Sequence, residues 1–379
     1  MRKLKVASFF SGCGGSDLGI IGGFKFLNKS YDKLPFEITY AIDNDKYAVE
    51  TYNENFKHPA ILDNIKNVEK ESLPDFDILI GGFPCQSFST VNPTKDTNDD
   101  RANLYKELVE IVNIKKPDFF VLENVKGLTT LQKGAILKKV IKDFKGSGYK
   151  VKHKILLASN FGIPQKRERV FIIGIKNNID TEYNYPKETH NENNWVALNS
   201  VIDSLIPKDE KFYFSERAVQ GMKNAKKNMK RGLYQDLSKP CLTITSHLAK
   251  TSLNSRDPVL LVNPEKELYR RFTPREAARI QSFPDEFIFP VSDTQAYRQI
   301  GNAIPPVLMW HVMKSLSESI NRIEKPTLKS HTHLQFAPAD ASPKIAKEYV
   351  SPTLNSELNN KHQKNKLNEK STTYNTVYN

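Results

Sequence analysis

"LKVASFFSGCGGSDLG", residues Leu4 to Gly19, decides the fold. Its first seven residues read as a strand, the next seven as a glycine-rich turn, and a helix-like stretch begins at Leu18. A strand that feeds a helix through a tight turn opens an α/β domain, and the chain repeats the alternation. "FEITYAI" (Phe36–Ile42) is a second strand, followed by "DKYAVETYNENF" with helical spacing. Then come the strand "FDILIGG", the helix-like "LYKELVEIVNI", the strand "FFVLENV", a helix from Gly134 to Phe144, and the strands "KHKILLAS" and "RVFIIGI". Strands that are apolar on both faces, separated by amphipathic helices, predict a mainly parallel, Rossmann-like sheet covered on both sides. Ligands of such sheets bind at the carboxyl ends of the strands.

Composition narrows the function. The chain has 379 residues, a 39% hydrophobic fraction and a formal charge of +13. It is long enough for one large domain and a smaller one, with a core that needs no staples. Its apolar runs are too short for a membrane span, which makes a soluble, cytoplasmic protein the expectation. Cys13, Cys85 and Cys241 are its only cysteines and include no C-x-x-C pair, so neither a disulfide framework nor a structural metal is expected. The positive balance is a modest pointer to a polyanionic partner.

Three signals carry chemistry. The turn Ser11–Gly15 lets a ligand approach the backbone, though its glycines do not have G-x-G-x-x-G spacing. Asp43, at the end of the second strand, suits the two hydroxyls of a ribose. Together they indicate an adenosine-containing cofactor, with NAD and S-adenosylmethionine both open. Cys85, in "GGFPCQSFST", lies in a polar loop at a strand end, where a thiolate would be a competent nucleophile; a free cysteine is more often a small buried hydrophobe. Glu123 ends the strand "FFVL", and "GIPQKRERVF" crowds Lys166, Arg167, Glu168 and Arg169 before another strand. Alone, that charge run reads as a solvated face. Yet nucleophile, acid and cation all reach one sheet edge.

With these motifs in order, the chain resembles the DNA (cytosine-5) methyltransferases, of the bacterial restriction-modification type. "FFSGCGGSDLG", "AIDNDKYAVETYNENF", "GGFPCQSFS", "ENVKG", "GIPQKRERVFIIG", "RRFTPREAARIQSFPD" and "QAYRQIGNAIPP" are similar to the family's motifs. The resemblance covers roughly residues 4 to 322, apart from the stretch between Pro186 and about Glu267. It implies S-adenosylmethionine as cofactor, held by Phe10, Ser11, Gly12, Cys13, Gly14, Gly15, Asp43, Asn44, Asn64, Ile65, Pro84, Leu104, Asn302 and Ala303. It implies Cys85 as the nucleophile at cytosine carbon 6, Glu123 as donor to ring N3, and Arg169, with Arg167 beside it, on the base carbonyl. Duplex DNA is the implied partner, touched by Ser87, Ser89, Gln165, Lys226, Lys227, Lys230, Thr243 and Thr245. No metal is implied, and a monomer is expected. Two positions depart from the family's usual pattern: Ser8 replaces an acid, and Asn64 replaces the aspartate of an Asp-Ile pair.

The expected organisation is a catalytic and cofactor domain over 1–185, completed by 294–323. A smaller, irregular target-recognition domain spans 186–293, and 324–379 is a disordered tail. "STVNPTKDTNDDRAN", after Cys85, reads as a mobile lid. The competing readings are a tRNA cytosine-5 methyltransferase of the same fold and a DNA-binding homologue without activity.

Overall fold

The computed structural model describes residues 2–84, 104–203, 209–226, 234–250 and 259–324. A seven-stranded sheet organises them. Its strands are β1 (Leu4–Phe9), β4 (Phe36–Asp43), β5 (Ile61–Leu62), β6 (Ile78–Gly81), β7 (Phe119–Val125), β8 (Tyr149–Leu157) and β10 (Glu168–Lys176), in the order β5-β4-β1-β6-β7-β10-β8. Short pairs add β2 (Phe24–Phe26) with β3 (Lys29–Tyr31), β9 (Gln165–Lys166) with β11 (Cys241–Leu242), and β12 (Leu260–Asn263) with β13 (Leu268–Arg270). The helices are α1 (Gly15–Ile21), α2 (Lys46–Asn55), α3 (Leu104–Lys115), α4 (Ala135–Gly146), α5 (Glu216–Lys226), α6 (Pro274–Ile280), α7 (Asp293–Asn302) and α8 (Pro306–Glu324).

Five strands run parallel from β5 to β7, and β10 is antiparallel to both of its neighbours. The sheet is therefore mainly parallel, as the alternation predicts. Chain order reverses direction across the sheet between β1 and β6, which makes the gap beyond their carboxyl ends the crevice where a ligand fits. The turn Phe10–Gly15 leaves β1 there, and Gly82–Phe83–Pro84 leaves β6 beside it.

Alternate residues of each strand enter two separate cores. Val6, Ile78, Ile80, Val121, Phe171 and Ile173 face one side, where α1 and α8 pack together with Cys241, Ile244 and Phe272. Ala7, Phe9, Leu79, Phe120, Leu122 and Ile172 face the other, against Leu108, Ile111 and Val112 of α3 and Val140 and Phe144 of α4. Burial on both faces explains the near-continuous apolar strands. The first core also crosses Tyr185 without a break, because residues from 241 to 287 pack into it.

Local signals in the second half operate as capping chemistry requires. Thr273 accepts from the Glu276 backbone while the Glu276 carboxylate accepts from the Thr273 N–H, closing a capping box with Pro274 in the first turn. Glu276 also forms a fully buried fork with Arg270, at 2.7 Å on both oxygens.

On α8, His311 sits among Tyr31, Phe161 and Trp310, and its Nε2 is buried without a hydrogen-bond partner. Burial, helped by the charges of Lys29 and Lys314 and by His190, lowers its pKa to about 3. An unfolded histidine titrates near 6.5, so the unfolded chain binds the extra proton between these values. The stability gained from neutral His311 is complete above about pH 6.5 and shrinks as pH falls. The expected loss at pH 5 is about 2 kcal/mol. Denaturant melts of the wild type and His311→Phe at pH 5 and 7 check this: the variant's stability should fall by clearly less.

Candidate active site

The sheet register brings acid and base together. Glu123 pairs with Phe171, and Arg169 lies two residues before Phe171 on the same face, the diagonal position across an antiparallel pair. Arg169 reaches this edge from the start of its strand because β10 runs backwards. Its Nε donates to Glu123 Oε1 at 2.9 Å, with both side chains about 12% exposed. Burial pushes the Glu123 carboxyl above its ordinary pKa, and the charges of Arg169 and Arg167 partly pull it back.

The neighbouring residue ties the pair to the cysteine loop. Asn124 is buried, and its amide donates to the Phe83 carbonyl at 2.7 Å, two residues before Cys85. Gly82 lies over the acid: a Cβ there would stand 3.8 Å from Glu123 Oε2. Asn124 carries no sequence signal beyond its place beside Glu123 in β7, and alternation puts it on the opposite face of the sheet. Cys85 itself, Ser87, Ser89 and the segment read as a lid lie outside the described residues. The other two cysteines are buried, and burial raises the Cys13 thiol to about 12, so Cys13 stays protonated.

The run "KRER" separates into four fates. Lys166 is exposed and lies 4.7 Å from the ring centre of Trp195. Glu168 pairs with Lys126 at 2.8 Å, and Arg169 holds Glu123. Arg167, expected beside Arg169 at the base, points elsewhere: its guanidinium donates to the carbonyls of Ile244, Gly301 and Ala303 at 3.0, 2.9 and 3.1 Å. Gln165, expected at the DNA, is completely buried. Its Nε2 donates to Gln281 Oε1 and the Ile280 carbonyl, and its Oε1 accepts from the Ile244 N–H. The same physics holds both inward: turning either side chain outward would strand several buried polar groups.

The glycine-rich turn has the shape of a cradle. Gly12 has a positive φ of 55°, and a Cβ there would meet nothing within 4 Å. Its N–H donates to Asp43 Oδ2 at 2.8 Å, while the Asp45 N–H donates to Oδ1. Burial nevertheless raises the Asp43 pKa. Ser11 Oγ is buried without a hydrogen-bond partner. Gly19 lets α1 pack on Met309 of α8, and Gly15 packs on Ala303 and the Ile304 carbonyl. The segment after α7 therefore lies against the turn, with Asn302 exposed. Leu104 starts α3, and Pro84 is partly buried. Ser8, one of the two positions that depart from the usual pattern, donates to Asp17, a completely buried carboxylate that also accepts from Ser16 and Tyr52. Asn64 Oδ1 caps the turn Ile65–Asn67 through the Lys66 N–H, which leaves one lone pair for a ligand.

In the segment read as target-recognising, Thr243 donates to the Lys166 carbonyl at 2.7 Å and Thr245 accepts from the His247 N–H. Lys226 ends α5; its side chain, Lys227 and Lys230 lie outside the described residues.

Comparison with known proteins points one way. Residues 4–318 match the family model for C-5 cytosine-specific DNA methylases. The type II methyltransferase M.NlaX of Neisseria lactamica is 34% identical over 307 residues, covering 79% of this chain and 92% of the relative. M.Bsp6I, a type II methyltransferase of a Bacillus species, is 31% identical over 332 residues, covering 84% and 99%. Among solved structures, the Dnmt2 methyltransferase of S. pombe superposes with a TM-score of 0.66 at 21% identity, over 84% of this chain and 99% of the other. At that identity the likeness concerns the fold.

Proposed function

Because this chain belongs to the C-5 cytosine-specific DNA methylase family, we propose that it methylates cytosine carbon 5 in duplex DNA, with S-adenosylmethionine as donor. It is a DNA methyltransferase of the type II restriction-modification kind, and protection of the host's own DNA is the role that fits. The observation that carries the reading is the Glu123–Arg169 pair at the sheet edge, one residue from the Asn124 tie to the cysteine loop.

The cradle fits the donor. Ser11 Oγ lacks a partner, Gly12 leaves open space, and Asp43 offers carboxylate lone pairs to ribose hydroxyls. Phe10, Cys13, Gly14, Gly15, Asn44, Asn64, Ile65, Pro84, Leu104, Asn302 and Ala303 are the other residues that would hold it. When bound, S-adenosylmethionine supplies an electrophilic methyl group on a sulfonium.

Cytosine carbon 5 is too weak a nucleophile to take that group directly. Cys85, as a thiolate, adds to carbon 6 and raises electron density at carbon 5. Glu123, whose carboxyl burial pushes above its ordinary pKa, donates a proton to ring N3 and relieves the developing negative charge. Arg169 orients Glu123 and faces the base carbonyl. Once carbon 5 has taken the methyl group, loss of its proton expels the cysteine as a thiolate and restores the ring. None of these groups reaches a stacked base, so the cytosine must leave the duplex, at a cost of a few kcal/mol. The segment 186–293 faces the DNA and chooses the target, with Thr243 and Thr245 in its contact stretch and Lys226, Lys227 and Lys230 on phosphates.

Incubating the purified chain with genomic DNA, tRNA and S-adenosylmethionine, then mapping 5-methylcytosine by bisulfite sequencing, tests the reading. Methylation at one short duplex sequence is expected; modification of tRNA alone would overturn it. For the cradle, Asp43→Ala is expected to raise the S-adenosylmethionine dissociation constant about tenfold to a hundredfold, the worth of a charge-assisted hydrogen bond. Calorimetry reads this directly, and an unchanged constant would remove Asp43 from the ribose.

A further inference from the structure

Arg167 has a larger reach than a structural arginine needs. It carries a buried charge with no carboxylate among its hydrogen-bond partners, and its two terminal nitrogens end on two chain segments far apart in sequence. One is the Ile244 carbonyl, between Thr243 and Thr245. The other is the pair of carbonyls at Gly301 and Ala303, on either side of Asn302.

Further contacts close the same seam. Cys241 and Leu242 pair in parallel with Gln165 and Lys166, the residues just before Arg167. Gln165 binds the Ile244 N–H, and Gln281 links Gln165 to the Ala303 carbonyl, the latter at 2.5 Å. Gly301 abuts the Thr245–Ser246 backbone so closely that any Cβ would overlap it. Two residues beyond Arg167, Arg169 holds Glu123. A planar fork with fixed donor directions spans two segments in a way an ammonium cannot.

We infer that Arg167 is a positioning residue that clamps the Thr243–Thr245 stretch to the Gly301–Ala303 turn, coupling target DNA to the cofactor pocket. The inference rests on the proposed function, which puts DNA at the first segment and S-adenosylmethionine beside the second. DNA that orders the 243–245 stretch then also orders the turn bearing Asn302. By linkage the cofactor strengthens DNA binding by the same factor.

The test is calorimetric titration of S-adenosylmethionine into the full-length protein, alone and with a duplex carrying the mapped target whose cytosine is replaced by 5-methylcytosine to prevent turnover. In the wild type, the duplex is expected to tighten cofactor binding about tenfold. In Arg167→Lys, which keeps a nitrogen donor and loses the fork, the ratio is expected to fall to within about twofold of unity. Gln281→Met, of similar volume, removes the parallel link and should reduce the ratio partway even if the lysine variant fails to fold. Thermal midpoints confirm that each variant is folded. A wild-type ratio of one, or a folded Arg167→Lys with the full ratio and a loss confined to kcat, would overturn the inference; the second outcome would place Arg167 at the base. Failure of the wild type to bind S-adenosylmethionine at all would instead defeat the proposed function.

Discussion

Cys85→Ser is expected to reduce methyl transfer by about a thousandfold or more while leaving duplex binding within a few-fold of wild type. A neutral hydroxyl is a far poorer nucleophile than a thiolate. The reaction has no substitute: Cys13 is held as a thiol by burial, and Cys241 is buried in the core that Ile244 and Phe272 share. Duplex contacts do not use the sulfur, so affinity should survive. Single-turnover methylation with tritiated donor, alongside fluorescence titration of the duplex, separates the two effects. A serine variant that methylates near the wild-type rate would rule out covalent addition.

Glu123→Gln should come second, with kcat reduced by about a hundredfold to ten-thousandfold, the usual range for a positioned acid. The amide keeps the shape of the carboxyl and loses its transferable proton. Arg169 would keep an acceptor oxygen but meet an amide in place of the carboxyl group, while remaining almost buried. The pH profile is the sharper readout. Burial raises the Glu123 pKa, so the protonated donor persists to a higher pH than an ordinary carboxyl allows. In the wild type, kcat should fall as pH rises through that raised value, and the fall should be absent from Glu123→Gln. A variant with wild-type kcat would mean that Arg169 and the cysteine activate the ring without a proton from Glu123.

Much of this molecule is legible in its sequence alone. The α/β alternation, the cradle at Phe10–Gly15, the acid at Asp43 and the Thr273–Pro274 helix start all rest on neighbours in the chain. Backbone propensity, capping and strand periodicity act over a few residues, so a local reading captures them. Cys85, Glu123 and Arg169 stand out as candidates for the same reason, each lying in a short run with chemical logic of its own; of the three, the described residues include Glu123 and Arg169.

What only the tertiary structure decided is where side chains in irregular segments point. "PQKRER" reads as one charged run. Gln165 and Arg167 turn inward because their partners at Ile244, Gln281, Gly301 and Ala303 lie 77 to 136 residues away in sequence. Arg169 meets Glu123 because β10 enters the sheet antiparallel, and Asn124 holds the root of the cysteine loop because β6 and β7 are neighbours. Motifs name the reacting groups through local chemistry. Direction and support come from long-range hydrogen bonds that exist only once the sheet has assembled and excluded water, where an unpaired polar group costs about 1–3 kcal/mol.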